Sequence, residues 1–520
     1  MSKHPVQRVF GFALTTLCAT IASAATPPQP DWHADIAQIE QAYAAHAYTP
    51  HALMGYFLQR IHDIDQSGPK LHAIIEVNPD ALSVADKLDA KKHSGALFGI
   101  PVVVKDNLDT ADRMQTTAGS LAMIGQPAPQ DSTVVAKLRV AGAVLLAKTN
   151  LSEWANYRST HATSGWSGRG GLTLNPYALD RNACGSSSGS AVAVAAGLAT
   201  VAIGTETDGS IVCPSAVNGV VGIKPTLGLV SRAGIVPISH SQDTAGPIAR
   251  SVADAASVLT VIAGSDPRDP ATAQADAHKA DYTRFLDANA LKGKRIGVVR
   301  KLAGYDPGTD RVLDEAIAAL RSAGATVIDK VEIPHLNDYG DAEGTVLSYE
   351  FKKDLNSYLA TRKGLPVHAL GDLIAWNKAH ADQELPWFGQ ELFEQSQKRG
   401  PLTEKKYLDA LAKCRKLAGP GIDAALRKNH LDALLAPTNG PSWSNDLVNG
   451  DHVSGGSSSP AAVAGYPDIA VPAGFVHGLP VGVSFFAGRW SEPTLIGIAY
   501  AFEQATHVRR DPEFRATVEK

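Results

Sequence analysis

The chain has 520 residues, 44% of them hydrophobic and 19% charged, with a formal net charge of −4. That composition excludes disorder as the main state and leaves room for one or more large buried cores. Nothing in the charge calls for a nucleic-acid partner.

The first residues, "MSKHPVQRVFGFALTTLCATIASAATPPQP", place Lys3 and Arg8 ahead of an apolar run that closes on Ala22-Ser23-Ala24. This is the pattern of a cleavable secretory leader over residues 1–24, which predicts a periplasmic or secreted product. The run falls short of the roughly 20 residues that span a bilayer, so no membrane association is expected once the leader is cut. Cutting after Ala24 takes two positive charges from the net −4 and leaves −6. Three cysteines then remain, Cys184, Cys213 and Cys414. They are too few for a disulfide framework, and one bridge is the most they can form.

In chain order, residues 31–89 show helical periodicity, as in "DALSVADKLDAKK", interrupted by "SGPK". "GIPVVVKDN" runs Val102 to Val104 without alternation, which predicts a fully buried strand ending at Lys105. "STVVAKLRVAGAVLLAKTN" reads as helix, turn at Gly142 and strand. Residues 160–182 are a long Ser-, Gly-, Trp- and Asn-rich irregular segment, of the kind that is functional inside a compact domain. The apolar stretch 191–204 is too short to span a membrane and reads as buried core. "GKRIGVVR", "DRVLDEAIAALRSAGA" and "TVIDKVEIP" predict strand, helix and strand, and residues 349–429 read as mostly helical. "DALLAPT", "DIAVPAGF" and "PVGVSFFAG" predict three closing strands before a helix opened by Ser491 with Pro493 in its first turn. The alternation is that of an α/β protein. With no internal repeat and no long Gly/Ser linker, residues 25–520 read as one catalytic domain.

The serine knot "CGSSSGS" at residues 184–190 raises the question of chemistry. It matches the G-x-S-x-G elbow of α/β hydrolases only formally, because a turn-forming stretch rather than a strand precedes it. Ser67-Gly68-Pro69-Lys70 is no better as an S-x-x-K site, since Gly and Pro occupy what should be a helical turn. A second cluster, "GTETDGSIVCP", places Ser210 where consecutive backbone amides can converge into an oxyanion nest, although Asp208-Gly209 also suits an ordinary β-turn. Serine needs a base. His240 is the nearest histidine and could equally be a surface residue. Lys105, at the end of a buried strand, has burial to lower its pKa, while a salt bridge to Asp106 is the competing reading.

The order of these pieces resembles a known family. "GIPVVVKDN", "CGSSSGSAVAVAAG", "GTETDGSIVCPS" and "GIKPTLGLVSRAGIVPISHSQDTAGPIARSVADAA", with the ending "AGYPDIAVPAGFVHGLPVGVSFFAG", are similar to the amidase signature family of Ser-cisSer-Lys amide hydrolases. The resemblance runs from about residue 51 to residue 506. It implies a central mixed β-sheet covered by helices on both faces. It also implies Lys105 as neutral general base, Ser186 after a cis peptide bond as the relay, and Ser210 as nucleophile. The backbone amides of Thr207, Asp208, Gly209 and Ser210 are then expected to form the oxyanion hole.

Glu206 and Asp208 stand where many members carry Asp and Gly, Cys184 replaces a usual glycine, and Val212 replaces an arginine suited to carboxylate substrates. "KTNLSEWANYR", "SGWSGRGG" and "TETDGSIVCP" resemble the family's peptide amidases, which remove the C-terminal amide nitrogen of amidated peptides. On that reading Trp154 and Trp166 wall a peptide cleft, with core packing as the alternative. Cys184 and Cys213 read foremost as small buried residues, with a disulfide or a reactive thiol left open. No metal-ligand spacing or phosphate loop is present, so no metal, cofactor or obligate protein partner is expected. The competing functions are an esterase of the same family, a glutamine-hydrolysing amidotransferase component, and a non-catalytic periplasmic peptide-binding protein.

Overall fold

The unalternated apolar runs form the interior strands of the chain, whose computed structural model describes residues 1, 2, 4, 5, 29–90 and 94–519. In order the strands are β1 (Ile74–Val77), β2 (Pro101–Lys105), β3 (Val144–Thr149), the small hairpin β4 (Trp166–Ser167) and β5 (Gly171–Leu172), and β6 (Val201–Glu206). They continue with β7 (Val221–Lys224), β8 (Thr244–Ala249), β9 (Arg295–Val298), β10 (Thr326–Ile328), β11 (Ala433–Pro437), β12 (Asp468–Val476) and β13 (Leu479–Phe486). Eleven of them join one mixed sheet in the order β1-β3-β2-β6-β8-β7-β12-β13-β11-β9-β10, flanked by helices in an α/β architecture. Strands β2, β3, β6, β8 and β13 are buried from end to end, which is why they show no polar alternation.

Two pairings position the site. β2 and β6 are parallel neighbours, with Val104 opposite Ile203, so their carboxyl ends lie side by side. Lys105 ends one strand and Glu206 ends the other, at the edge where open α/β sheets gather their ligands. Between the strands in sequence runs the helix Ser188–Ala195, buried on every side and packed on β2, β3, β6 and β8. Its Ala/Val composition has no polar face to turn outward, and only small residues let it approach the sheet this closely.

The structure departs from the sequence reading in a few places. Within residues 31–89, read as helical, Ile74–Val77 is an edge strand antiparallel to β3. Four residues are too few to show a period of two, and the partner lies some seventy residues away in sequence. β10 stops at Ile328, so only the first part of "TVIDKVEIP" is strand. The leader read over residues 1–24 falls, apart from residues 1, 2, 4 and 5, outside the described residues. Among the described residues no helix is long and apolar enough to cross a membrane.

Because β6 sits between two fully buried neighbours, truncation within it cannot be absorbed by relaxation. Ile203, with no exposed surface, is expected to cost about 2–5 kcal/mol when replaced by Ala, read as a lower urea midpoint with an unchanged m-value.

Candidate active site

Lys105 is completely buried at the end of β2. Its Nζ lies 2.7 Å from Ser186 Oγ, 2.9 Å from Thr205 Oγ1 and 3.1 Å from Ser187 Oγ. These three partners are hydroxyls, the Thr205 carbonyl lies 3.3 Å away as a fourth, and no carboxylate makes a hydrogen bond to the amine. Asp106, the acid next to it in sequence, turns instead toward Lys148 and Arg169. Burial therefore brings the Lys105 pKa down to about 7, with the negative charges of Glu206 and Asp243 opposing a further fall. An amine poised there is available as a neutral base near pH 7.

Ser186 follows a cis peptide bond from Gly185 and is fully buried. The backbone here is packed so closely that side chains are excluded: a Cβ on Gly185 would lie 2.1 Å from Ser152 Oγ, and one on Gly189 would lie 2.3 Å from the Ala73 carbonyl oxygen. The Ser186 carbonyl accepts the N–H of Ser152 at 3.1 Å, which fixes the segment from the other side. Ser187 then turns its hydroxyl to the end of β6, donating to the Thr205 carbonyl at 3.0 Å and accepting the Thr205 N–H at 3.1 Å.

Ser210 lies in the turn between β6 and the helix Val212–Val217 and is 9% exposed. The Ser187 N–H donates to the Ser210 carbonyl at 3.1 Å, so the segment carrying Ser186 and the one carrying Ser210 are joined one residue after Ser186 and at Ser210 itself. Gly209 adopts φ +84°, a conformation that glycine supplies without a steric penalty. Glu206 closes the turn: its Oε2 accepts the N–H groups of Ile211 and Val212 at 2.7 and 3.0 Å. Among the described residues the N–H groups of Asp208, Gly209 and Ser210 make no hydrogen bond, which leaves them free for an anion.

The cysteines bracketing the serines form a disulfide, Cys184–Cys213. The reading of both foremost as small buried residues gives way to the disulfide that the sequence had left open; spacing alone could not show that residues 29 apart meet across the site. Of the two readings of the tryptophans, the described surroundings are those of packed side chains. Trp154 is buried in a core cluster with its ring on Phe393, and Trp166 packs on Phe388 with the Arg158 guanidinium over its face. Neither lines the cavity of about 380 Å³ beside Thr205 and Thr207, whose apolar wall is Ile235, Val236 and Ile238 and whose rim carries His240 and Asp354. His240 is not placed to serve a serine, because its two ring nitrogens face Asp354 at 2.7 Å and Glu350 at 3.3 Å.

Sequence reasoning missed three residues around the amine. Ser187 and Thr205 hold Lys105 directly, and Asn107 Nδ2 donates to Thr205 Oγ1 at 3.0 Å. The one signal for them is position, since each is within two residues of a residue singled out.

A buried amine against a serine-rich loop, with a second serine on a turn of free amides, is an arrangement suited to acyl transfer without histidine. The amidase family model matches residues 52–496, and the chain belongs to that family of hydrolases acting on amide C–N bonds. Its structure is similar to that of the peptide amidase from Stenotrophomonas maltophilia, with a TM-score of 0.88 and 51% identity over 92% of this chain and 98% of that one. In sequence it is 42% identical to a probable amidase of Arabidopsis thaliana over 93% of this chain and 92% of the relative. It is 36% identical to a glutamyl-tRNA(Gln) amidotransferase subunit of Methanosarcina acetivorans, covering 85% and 92%.

The disulfide closes a loop that contains Ser186 and Ser210. Replacing both cysteines by serine is expected to cost about 3–4 kcal/mol through the freer unfolded chain, measurable by urea unfolding of the parent and the double variant side by side.

Proposed function

We propose that the protein is a secreted serine amidase that hydrolyses carboxamides through an acyl-enzyme on Ser210, acting on C-terminal peptide amides with release of ammonia. The observation that carries this reading is the buried Lys105 amine 2.7 Å from Ser186 Oγ, on a segment hydrogen-bonded to that of Ser210. Neutral Lys105 takes the proton of Ser186, which takes that of Ser210, and Ser210 Oγ bonds to the carbonyl carbon. The oxyanion is met by the amides of Thr207, Asp208, Gly209 and Ser210. As the tetrahedral intermediate collapses, the C–N bond breaks and the relay returns the proton to nitrogen, releasing ammonia. Water then attacks the ester, giving up its proton along the same path, and the carboxylic acid leaves.

The choice of peptide amides rests on the similarity to the Stenotrophomonas maltophilia peptide amidase, and on an apolar cavity wall beside the turn rather than a carboxylate-binding arginine at position 212. Export is supported by the leader-like start together with the Cys184–Cys213 disulfide, a bond that persists in oxidising compartments.

An ammonia assay over peptide amides, free amino-acid amides, glutamine and small aliphatic amides, run beside ester hydrolysis, tests the reading. Peptide amides are expected to give the highest kcat/KM; preference for glutamine or for esters would overturn the substrate assignment. Ser210→Ala and Lys105→Ala should each lower the rate about a thousandfold or more, and an unchanged rate in Ser210→Ala removes the nucleophile. The active form needs Lys105 uncharged, so kcat/KM should rise with pH through about 7 and level off above it.

A further inference from the structure

The direction of each free amide in the 207–210 turn is set by what grips the carbonyl in the same peptide plane. A trans peptide unit is flat, and its C=O and N–H point opposite ways. Among the described residues the one cis bond is Gly185–Ser186, so the planes of this turn are trans. A hydrogen bond to the Thr207 carbonyl therefore aims the Asp208 N–H the other way, and one to the Gly209 carbonyl does the same for the Ser210 N–H.

Both carbonyls are held. The Gly209 carbonyl accepts the N–H of Cys213 at 2.9 Å, a backbone bond that comes with the helix Val212–Val217. The Thr207 carbonyl has a side chain instead, Gln242 Nε2 at 3.2 Å. Gln242 is buried, and the two hydrogens of its amide have two acceptors, because Nε2 also donates to Glu343 Oε1 at 2.9 Å on the helix Gly340–Leu359. The next residue grips the Thr207 side chain: Thr207 Oγ1 donates to Asp243 Oδ1 at 2.6 Å, while Asp243 Oδ2 accepts the N–H groups of Ile238 and Ser239, each at 2.8 Å. At the far end of the plane the Asp208 carboxylate accepts the hydroxyls of Ser458 at 2.5 Å and Ser459 at 2.6 Å.

The loop 238–243 that carries both grips on Thr207 is itself fastened to the helix Gly340–Leu359. Glu350, completely buried, accepts the Ser239 hydroxyl at 2.5 Å, the Ser241 N–H at 3.0 Å and the Ser241 hydroxyl at 2.7 Å. Asp354 accepts the His240 N–H at 3.0 Å. Glu343, Glu350 and Asp354 recur at helical spacing, so one face of that helix holds the loop at three points.

We propose that Gln242 and Asp243 clamp the Thr207–Asp208 peptide plane and so aim the Asp208 amide at the oxyanion, which makes both of them positioning residues for amide hydrolysis. The inference rests on the reading of Ser210 as nucleophile with the turn's amides meeting the oxyanion. An oxyanion donor must point to where the carbonyl oxygen moves as its carbon becomes tetrahedral. A plane free to rock slows that step and leaves ground-state binding as it was.

The test is kcat and KM on one peptide amide, together with the affinity for a peptide aldehyde of the same sequence. Ser210 Oγ bonds to the aldehyde carbon, the C=O double bond opens, the serine proton passes to the relay, and the tetrahedral oxygen is presented to the turn. Gln242→Met keeps the side-chain length and removes the donor; kcat and aldehyde affinity should each fall about tenfold with KM within about twofold, the signature of a transition-state contact. Thr207→Val and Asp243→Ala should do the same, whereas Thr207→Ser, which keeps the hydroxyl, should stay within about twofold of the parent in all three quantities. If Asp243→Ala does not fold, Thr207→Val against Thr207→Ser reads the same grip from its other end. Parent-like values in Gln242→Met or Thr207→Val, a loss confined to KM, a fall in kcat with aldehyde affinity unchanged, or a Thr207→Ser as slow as Thr207→Val overturns the clamp. Ser210→Ala run alongside separates the two readings: an active Ser210→Ala overturns both, whereas an inactive one with parent-like Gln242→Met overturns only the clamp.

Discussion

The site depends on an amine held out of water with no carboxylate to pair it. A lysine ammonium buried this way is costly, and folded proteins neutralise it by pairing or by losing the proton. Here the surrounding groups are the hydroxyls of Ser186, Ser187 and Thr205 and the Thr205 carbonyl; Ser187, its own proton given to that carbonyl, can only accept from the amine. Asp106, close enough in sequence to have claimed the charge, faces Lys148 and Arg169 instead. Glu206 and Asp243 act from farther off and keep the amine basic enough to take a proton. The base strength of Lys105 is therefore a balance between burial and two carboxylates that do not touch it.

The rest of the architecture delivers hydroxyls to that amine. The parallel pairing of β2 with β6 sets Lys105 beside Thr205, and the buried helix Ser188–Ala195 brings the serine knot to the same edge. Three kinds of link then lock the segments together. The Ser187–Ser210 backbone hydrogen bond joins the two loops, Glu206 caps the amides beyond Ser210, and the Cys184–Cys213 disulfide ties the residues flanking both serines. Such redundancy holds the two serine-bearing segments in one fixed arrangement beside the amine.

Much of this was legible in the amino-acid order alone. The buried run of Val102 to Val104, the helix and strand around Gly142 and the three closing strands followed from apolar patterning, because burial on both faces erases alternation. What stayed hidden has identifiable causes. β1 is too short to show a period, and its partner is far away in sequence. Trp154 and Trp166 suited either a cleft wall or core packing, because a ring's surroundings depend on the whole interior; they pack on Phe393 and Phe388. The cysteine pairing stayed open for the same reason: two residues 29 apart carry no mark of facing each other.

By itself the amino-acid sequence determined the α/β class, the strand that ends at Lys105 and the two serine clusters, since each of these is a local pattern of residue types. Only the tertiary structure decided that Lys105 faces hydroxyls rather than Asp106, that Cys184 meets Cys213, and that Asp208 reaches Ser458 and Ser459. Those contacts join residues tens to hundreds of positions apart, and the direction a buried side chain takes is set by the whole packed interior around it rather than by its neighbours in the chain.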